Sequence, residues 1–259
     1  MAHVLSISVY PVKSLPPVRQ NRAAIIAPGS LEHDREIAIV DAAGKPLNAK
    51  RTAAVHRLIA TVDWLAMTVT FVERATAATV ETSLHVVNSP HEWLSDFFGQ
   101  SVSLQMQPSG GFPDDPVATG PTFISAATLA EVASWYPGMT ADDAALRFRA
   151  NIVIDGVPAF WEDRLYSEAG ASRRFTVGDV AIDGTNPCQR CIVPTRDQIT
   201  GEATDDFAQT FRQRREATLP AWAERSRFNH YYRLAVNTII PPSEFGKVVQ
   251  VGDEVQLIG

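Results

Sequence analysis

The segment from Pro108 to Pro121, PSGGFPDDPVATGP, limits how this chain can fold more than any other stretch. Seven of its fourteen residues are glycine or proline. Proline lacks a backbone donor and glycine is costly to order, so neither a helix nor a strand is expected to run through it. We therefore predict a connecting loop over 108–121, between an N-terminal lobe (1–107) and a C-terminal domain (122–259).

The N-terminal lobe is predicted to be rich in short strands. β-branched residues and partial period-two alternation indicate four of them. They are Val4 to Tyr10, Ile37 to Asp41, Val55 to Val62 and Met67 to Val72. A helix from Glu92 to Phe98 follows, with Asn88-Ser89-Pro90 as its cap and first-turn residues and Gly99 at its end.

The C-terminal domain is predicted to begin with two helices. Ser125 caps an alanine-rich helix that runs to about Tyr136, and Thr140 with Asp143 predicts a capping box for a second, short helix.

Strands are predicted after these helices. The stretch from Phe148 to Ile154 is apolar and β-branched, and two Gly-Asp turns lie between apolar residues at Val177 to Val180 and Val251 to Val255. Such turns suit hairpins or bulges in an antiparallel barrel. The predicted fold class is α+β, mostly β, with a β-barrel domain, a strand-rich lobe and a few short helices.

The charge balance excludes some classes of function. A net charge of -6 argues against nucleic-acid binding, because phosphate neutralisation needs a basic surface. The basic residues Arg212, Arg214, Arg215, Arg225 and Arg227 are interpreted as a solvated face, with a docking patch as the alternative.

The remaining composition indicates a soluble, cytoplasmic protein without a membrane span. Two cysteines in 259 residues, and no charged and then apolar leader, are typical of a reducing compartment. The longest apolar stretches fall short of the roughly 18 residues that a membrane helix needs. The chain has no G-x-G-x-x-G or Gly-Lys-Ser/Thr phosphate loop, so nucleotide-dependent chemistry has no motif support.

Both cysteines lie in one stretch, Cys188-Gln189-Arg190-Cys191. A zinc site needs four ligands and the chain has only one such pair; a dithiol redox pair usually opens a helix, whereas Pro194 follows here. A disulfide is not expected in a chain long enough to bury a core. A zinc site and a dithiol redox pair are less favoured but remain open, as do two buried thiols without a function and one thiolate ligand for a soft metal.

Five motifs occur in a fixed order along nearly the whole chain. They are Tyr10-Pro11-Val12-Lys13-Ser14, Asp34-Arg35 followed by Ile37 to Asp41, Arg149 to Val153, Phe160 to Asp163, and Cys188 to Cys191. Together they resemble the MOSC superfamily of molybdenum-cofactor-binding proteins, which includes the amidoxime-reducing component of mitochondria and bacterial hydroxylaminopurine-reducing relatives. The resemblance implies a MOSC-type β-barrel domain behind an N-terminal MOSC lobe.

The resemblance also implies a molybdenum cofactor, Mo-molybdopterin, whose pterin carries a phosphate. Lys13, Ser14 and Arg35 match the positions that hold the phosphate, as a point charge, a hydroxyl donor and a planar fork. The ordinary alternatives are a surface lysine and an ion pair between Arg35 and its neighbour. Ser125 and Thr128 match a hydroxyl-bearing helix entry and are further candidates for cofactor binding.

Arg149 and Asn151 match family contacts on the pterin or metal side of the cofactor. The ordinary alternative for Arg149 is an ion pair with Glu162 or Asp163. Asp163 is also a catalytic candidate that orients Arg149 or assists proton transfer.

Within the cysteine motif the resemblance distinguishes the two thiols. Cys191 matches the molybdenum ligand and is therefore the principal catalytic and metal-binding candidate. Arg190 would offset negative charge and favour the thiolate, and Cys188 would be a supporting neighbour.

The function implied is reduction of N-hydroxylated compounds, namely hydroxylamines, amidoximes or N-hydroxylated nucleobases, by oxygen-atom transfer to molybdenum. Two cysteines are too few for a plant-type iron-sulfur cluster, so electrons are expected from a separate ferredoxin-, flavodoxin- or cytochrome-type protein. The alternative is a cofactor or sulfur carrier without turnover.

Overall fold

In a computed structural model, which describes residues 1–258, the fold is built mainly from strands. Within those residues the strands are β1 (His3–Val9), β2 (Val18–Gln20), β3 (Arg22–Ile26), β4 (Ser30–Leu31), β5 (Ile37–Asp41), β6 (Leu58–Asp63), β7 (Thr68–Glu73), β8 (Thr79–Ser83), β9 (Val102–Met106), β10 (Phe123–Ser125), β11 (Ile152–Asp155), β12 (Arg173–Val177), β13 (Val180–Gln189), β14 (Arg233–Ile239), β15 (Val248–Gln250) and β16 (Val255–Leu257). The α-helices are α1 (Glu92–Phe98), α2 (Ala126–Ser134), α3 (Ala141–Phe148) and α4 (Phe207–Ala217). The predicted α+β, mostly β class is confirmed.

The largest sheet has eight strands in the order β16-β12-β13-β14-β10-β11-β1-β2. Its pairs are antiparallel except β10 with β11, whose parallel pairing requires the crossover that α2 and α3 provide. His3 bridges to Glu254 next to β16, so the sheet curls until its distant strands meet.

The two predicted parts of the chain share strands. β1 and β2 come from the first part and extend the large sheet through β11, while β15 from the second part pairs with β3. The stretch between β9 and β10 contains no helix or strand among the described residues, as expected for a loop over 108–121. The division into residues 1–107 and 122–259 stays a prediction.

The prediction of a strand from Val55 to Val62 is wrong for the first half of that stretch. A 3₁₀ turn occupies Ala53–Arg57, and β6 begins only at Leu58. The Thr52 hydroxyl accepts a hydrogen bond from Ala54 N, which caps the turn and satisfies a donor that a strand would present to a neighbour.

The predicted helices are confirmed, with one correction to a cap. Ser125 caps α2, and the Thr140–Asp143 capping box opens α3. The cap of α1 is His91, whose Nδ1 accepts from Leu94 N, and not the Asn-Ser-Pro stretch before it.

The strand predicted over Phe148 to Ile154 begins later than expected. α3 continues through Phe148, Arg149 then adopts left-handed geometry at φ 53°, and β11 starts at Ile152. This left-handed residue reverses the chain at the C-terminus of α3.

One of the two Gly-Asp turns is a hairpin. Val177 pairs with Val180 across the turn between β12 and β13. The turn at Val251 to Val255 instead joins β15 to β16, and these strands pair with β3 and β12 in different sheets.

Apolar side chains form three buried clusters. The first is formed mainly by side chains of the large sheet, the second lies between α2, α3 and α4, and the third packs against β5, β6, β7 and β9. No helix among residues 1–258 has both the length and the apolar character that crossing a membrane requires.

Candidate functional site

A cavity of about 410 Å³ lies where β13, the C-terminal end of α3 and the 108–121 loop meet the first fifty residues. This volume is within the usual range for cofactor and small-molecule sites. The residues lining it that are used below are Ser14, Asp34, Arg35, Lys50, Asp114, Asp115, Arg147, Arg149, Asn151, Cys188, Arg190, Cys191, Arg233 and Asn237. Of the residues singled out from the sequence, the cavity brings together Ser14, Arg35, Arg149, Asn151, Arg190 and Cys191, whereas Lys13 is not among its lining residues.

The cysteines stand at the end of β13. Both are free thiols and half-buried, so no disulfide joins them. Cys191 lies in the loop after the strand, and its Sγ accepts a hydrogen bond from Val193 N at 3.5 Å. The described residues contain no group of three or more His, Cys, Asp or Glu side chains placed to chelate one metal.

Arg190 ties the cysteine loop to α3. Its Nη1 donates to Cys188 Sγ at 3.0 Å, and its Nη2 donates to the Phe148 carbonyl at 2.5 Å. A helix C-terminus attracts a cation because its last carbonyls have no partner within the helix. The guanidinium is therefore fixed beside the thiols by groups on both sides.

Arg149 connects the end of α3 to the N-terminal segment. Its Nη2 donates to the Leu15 carbonyl at 2.8 Å, and its guanidinium carbon lies 4.2 Å from the centroid of the Tyr10 ring. Burial lowers the pKa of Arg149, and the Arg35 charge acts in the same direction. The alternative ion pair with Glu162 or Asp163 is wrong.

Arg35 is held against its neighbour Asp34 by an ion pair. Burial opposes the Arg35 charge, but the carboxylates of Asp34 and Asp114 keep the pKa of Arg35 above its ordinary value. Asn151 fixes this pair, because its Nδ2 donates to Asp34 Oδ1 at 3.1 Å and its Oδ1 accepts from Thr122 N at 3.2 Å. Arg35 therefore forms the ion pair with its neighbour and also lines the cavity.

Lys13 is 7% exposed, so it is not an ordinary surface lysine. Its Nζ donates to the Phe112 carbonyl at 2.7 Å and to Asp114 Oδ1 at 3.1 Å. Burial lowers the pKa of Lys13, while Asp114 opposes that change. Ser14 beside it has left-handed geometry at φ 71°, and its Oγ accepts from Ala49 N at 3.3 Å.

The cavity is electropositive although the chain is acidic. Its lining includes six cationic side chains and three carboxylates. They are Arg35, Lys50, Arg147, Arg149, Arg190 and Arg233, against Asp34, Asp114 and Asp115. A surplus of cations in a cleft favours an anionic ligand.

Ser125 and Thr128 do not line the cavity, contrary to the expectation that they bind a cofactor. Both are fully buried, and Ser125 Oγ accepts from Thr128 N as the helix cap. Thr128 Oγ1 donates to Glu162 Oε2 at 3.0 Å and accepts from Phe160 N. The hydroxyls of Ser125 and Thr128 therefore form hydrogen bonds within the protein core around α2.

Asp163 also lies outside the cavity lining, and its ion-pair partner is Arg215 of α4. This corrects the expectation that Asp163 orients Arg149 or assists proton transfer. It also corrects the interpretation of the basic run, since Arg215 is fully buried while Arg212, Arg214 and Arg225 are exposed.

Sequence reasoning missed several charged residues of the cavity. Arg147 Nη1 donates to the Pro194 carbonyl at 3.0 Å and Arg233 Nη1 to the Pro187 carbonyl at 3.1 Å, so each arginine holds one flank of the cysteine motif. Lys50 lies 3.7 Å from Asp114. None belongs to a local motif; only the R-F-R spacing of Arg147 and Arg149, with a helix ending between them, offered a signal.

The residues present fit the cofactor that the resemblance implies. The cavity offers soft thiols for a metal and cations for a phosphate. Arg190 and Arg233, which line the cavity, each also carry a buried Nε with no partner among the protein atoms.

Two family models match the chain. Residues 1–101 match the MOSC N-terminal beta barrel domain, and residues 121–256 match the MOSC domain. The second match covers just over half of the chain.

Several curated proteins named molybdenum cofactor sulfurase are similar to this chain. The protein of Caenorhabditis briggsae is 22% identical over 247 residues, which is 87% of this chain and 34% of the relative. That of Drosophila melanogaster is 27% identical, over 80% of this chain and 29% of the relative. The human protein is 38% identical over 74 residues, 29% of this chain and 8% of its own length. The chain thus spans about a third, or less, of these relatives.

Proposed function

The chain belongs to the MOSC-domain family, and on that premise we propose that it is a molybdenum-cofactor-dependent oxidoreductase that reduces N-hydroxylated compounds. A relation to molybdenum-cofactor biology follows from the family and from the relatives. The reaction, the substrate class and the site residues are the proposal.

One observation carries it: Cys191 lines the same cavity as a surplus of cationic side chains. A phosphate-bearing cofactor with a soft metal needs both at once, since the phosphate requires cations and the metal a thiolate. No other cavity-lining residue in the described chain, apart from Cys188, carries sulfur.

The residues have separate proposed roles. Lys13, Ser14 and Arg35 hold the phosphate, and Arg149 with Asn151 lies between that end and the cysteines. Cys191 is the metal ligand. Arg190 is fixed by Cys188 and the end of α3, so it offsets negative charge at the metal end without having to reorganise.

The cofactor supplies the two-electron chemistry that cleaves the N–O bond. The protein orients the substrate and the cofactor and limits access of water to the cavity. Overall, an N-hydroxylated compound takes up two electrons and two protons and gives the amine or amidine and water. The electrons come from a separate redox protein of the ferredoxin, flavodoxin or cytochrome type.

Turnover tests the proposal directly. Cofactor-loaded protein, given a reduced artificial electron donor, is expected to convert benzamidoxime to benzamidine or hydroxylaminopurine to its amine. Cys191→Ser is expected to abolish turnover, whereas Cys188→Ser retains a measurable rate. Loaded protein that reduces neither substrate would contradict the oxidoreductase function.

A second candidate is a carrier of the cofactor or of sulfur, favoured by the relatives named molybdenum cofactor sulfurase and by two free thiols in one cavity. A carrier binds the cofactor and releases it to an acceptor protein without reducing N-hydroxylated compounds. Labile cofactor together with absence of turnover supports this candidate over the oxidoreductase.

A further inference from the structure

A strap of four residues, Pro113-Asp114-Asp115-Pro116, lines the cavity between two anchored ends. Before it, Phe112 N donates to the Arg35 carbonyl at 2.8 Å; after it, Gly120 N donates to the Thr238 carbonyl at 2.9 Å. The strap therefore has a fixed base on each side.

The two carboxylates of the strap have different partners. Asp115 is built into the loop: its Oδ1 accepts from Val117 N and Ala118 N at 3.0 and 3.1 Å, and its Oδ2 accepts from Asn237 Nδ2 at 3.2 Å. Asp114 has cations instead, with its Oδ1 3.1 Å from Lys13 Nζ and 3.7 Å from Lys50 Nζ.

Asp114 and its partner Lys13 differ in how far their side chains are buried. The Lys13 side chain is 8% exposed, whereas the Asp114 side chain is 58% exposed. The lysine is fixed by burial and by the Phe112 carbonyl, so the carboxylate is the partner that is free to move toward solvent. Arg35 lines the same cavity as Asp114, and against the opposing effect of burial the charges of Lys13 and Arg35 lower the pKa of Asp114.

We propose that Asp114 is a resident counter-ion that occupies the anion seat formed by Lys13, Lys50 and Arg35 and gives way when a phosphate-bearing ligand enters. The carboxylate keeps the buried lysine paired in the ligand-free protein, where an unpaired charge is costly. The carboxylate also selects against weakly binding anions, because an incoming anion must bind these cations better than Asp114 does. The inference rests on the proposed function only in taking this cavity as the seat of a phosphate.

Inorganic phosphate, titrated calorimetrically into the ligand-free full chain at neutral pH, tests the inference. Asp114→Asn removes the competing charge with little change in shape, and we expect phosphate to bind about fivefold more tightly than to the unaltered protein. Asp114→Ser, a second variant, is expected to shift the affinity in the same direction. Asp115→Asn makes the same charge change next to it and is expected to have a much smaller effect.

Lys13→Met separates failure of this inference from failure of the phosphate seat. It is expected to weaken phosphate binding strongly and to reduce the gain from Asp114→Asn in the double variant. Unchanged or weaker binding by both Asp114 variants, with binding still lost in Lys13→Met, would overturn the role of Asp114 alone. Absence of phosphate binding in every variant would overturn both the inference and the proposed phosphate seat.

Discussion

Glu162 is a carboxyl group whose charge is opposed by its surroundings. It is 1% exposed, and its Oε1 has no hydrogen-bond partner in the protein. Burial, together with the neighbouring Asp163 charge, raises the pKa of Glu162 to about 7. Ionised Glu162 is therefore less favourable in the folded chain than in the unfolded chain.

Glu162→Gln is expected to stabilise the protein at pH 8 and to have little effect near pH 4. The unfolded carboxyl titrates near pH 4.5, so the free-energy cost of burying the charge of Glu162 grows between that pH and about 7 and is then constant. We expect a gain on the order of 3 kcal/mol in the free energy of unfolding at pH 8. Urea unfolding at both pH values measures it, with exposed Glu168→Gln as the control. An equal effect at both pH values would show that the charge of Glu162 is not the cause.

At the scale of elements, α4 is anchored by one buried ion pair. Arg215 is fully buried, pairs with Asp163, and has its guanidinium carbon 4.2 Å from the Phe160 ring centroid and 5.0 Å from that of Phe228. These contacts join the helix to the 3₁₀ turn at Trp161–Arg164. They fix α4, which follows the cysteine loop in the chain.

Arg215→Met is expected to reduce the free energy of unfolding by about 3–5 kcal/mol, because Asp163 is then buried without a counter-charge. The double variant with Asp163→Asn is expected to recover part of that loss. Exposed Arg214→Met, one residue away, should stay within about 0.5 kcal/mol of the unaltered protein. Chemical denaturation of the four proteins tests this; a double variant less stable than Arg215→Met would contradict the explanation.

The end of α3 positions the cysteine loop through Arg147. Because Arg147 donates to the carbonyl of the buried Pro194, Arg147→Met leaves that carbonyl unpaired and is expected to loosen the turn after Cys191. We expect the Cys191 thiol to be alkylated several-fold faster, measured in a Cys188→Ser background so that a single thiol reacts. An unchanged alkylation rate would show that Arg147 does not restrain the loop.

Local signals predicted several elements and missed others for physical reasons. Helix caps such as Ser125 and Thr140 can be predicted from sequence, because the capping side chain and the backbone N–H that it accepts from lie within three residues of each other. The 3₁₀ turn at Ala53–Arg57 carries β-branched and apolar residues that equally suit a strand, so its form depends on packing. α4 went unpredicted because a buried arginine interrupts the pattern of its apolar face.

At the scale of the whole molecule, distant segments of the chain build the cavity together. Arg149 reaches Leu15, Asn151 reaches Asp34, and Arg190 reaches Phe148. The family resemblance pointed to residues on each of these segments, but Lys50, Asp114 and Arg233 became visible only once the chain was folded, because they carry no sequence motif. The same resemblance pointed to Ser125, Thr128 and Asp163, which do not line the cavity because their polar atoms are bonded to each other, to Glu162 or to Arg215.

Shared strands predict that the chain unfolds as one unit. A chain cut within 108–121 would leave β1 without β11 and β15 without β3. We expect a single transition in urea followed by circular dichroism and by fluorescence, and no independent folding of 1–107 or 122–259. Two separate transitions would contradict this cooperative coupling.

The molybdenum and pterin content of the purified chain tests the central claim most directly, namely that this cavity holds a molybdenum cofactor through Cys191. Protein made in a host that produces the cofactor is expected to contain both in near-stoichiometric amounts. Cys188→Ser is expected to retain the metal, and Cys191→Ser to lose most of it. Unaltered protein without molybdenum, or Cys191→Ser with as much molybdenum as the unaltered protein, would contradict the claim.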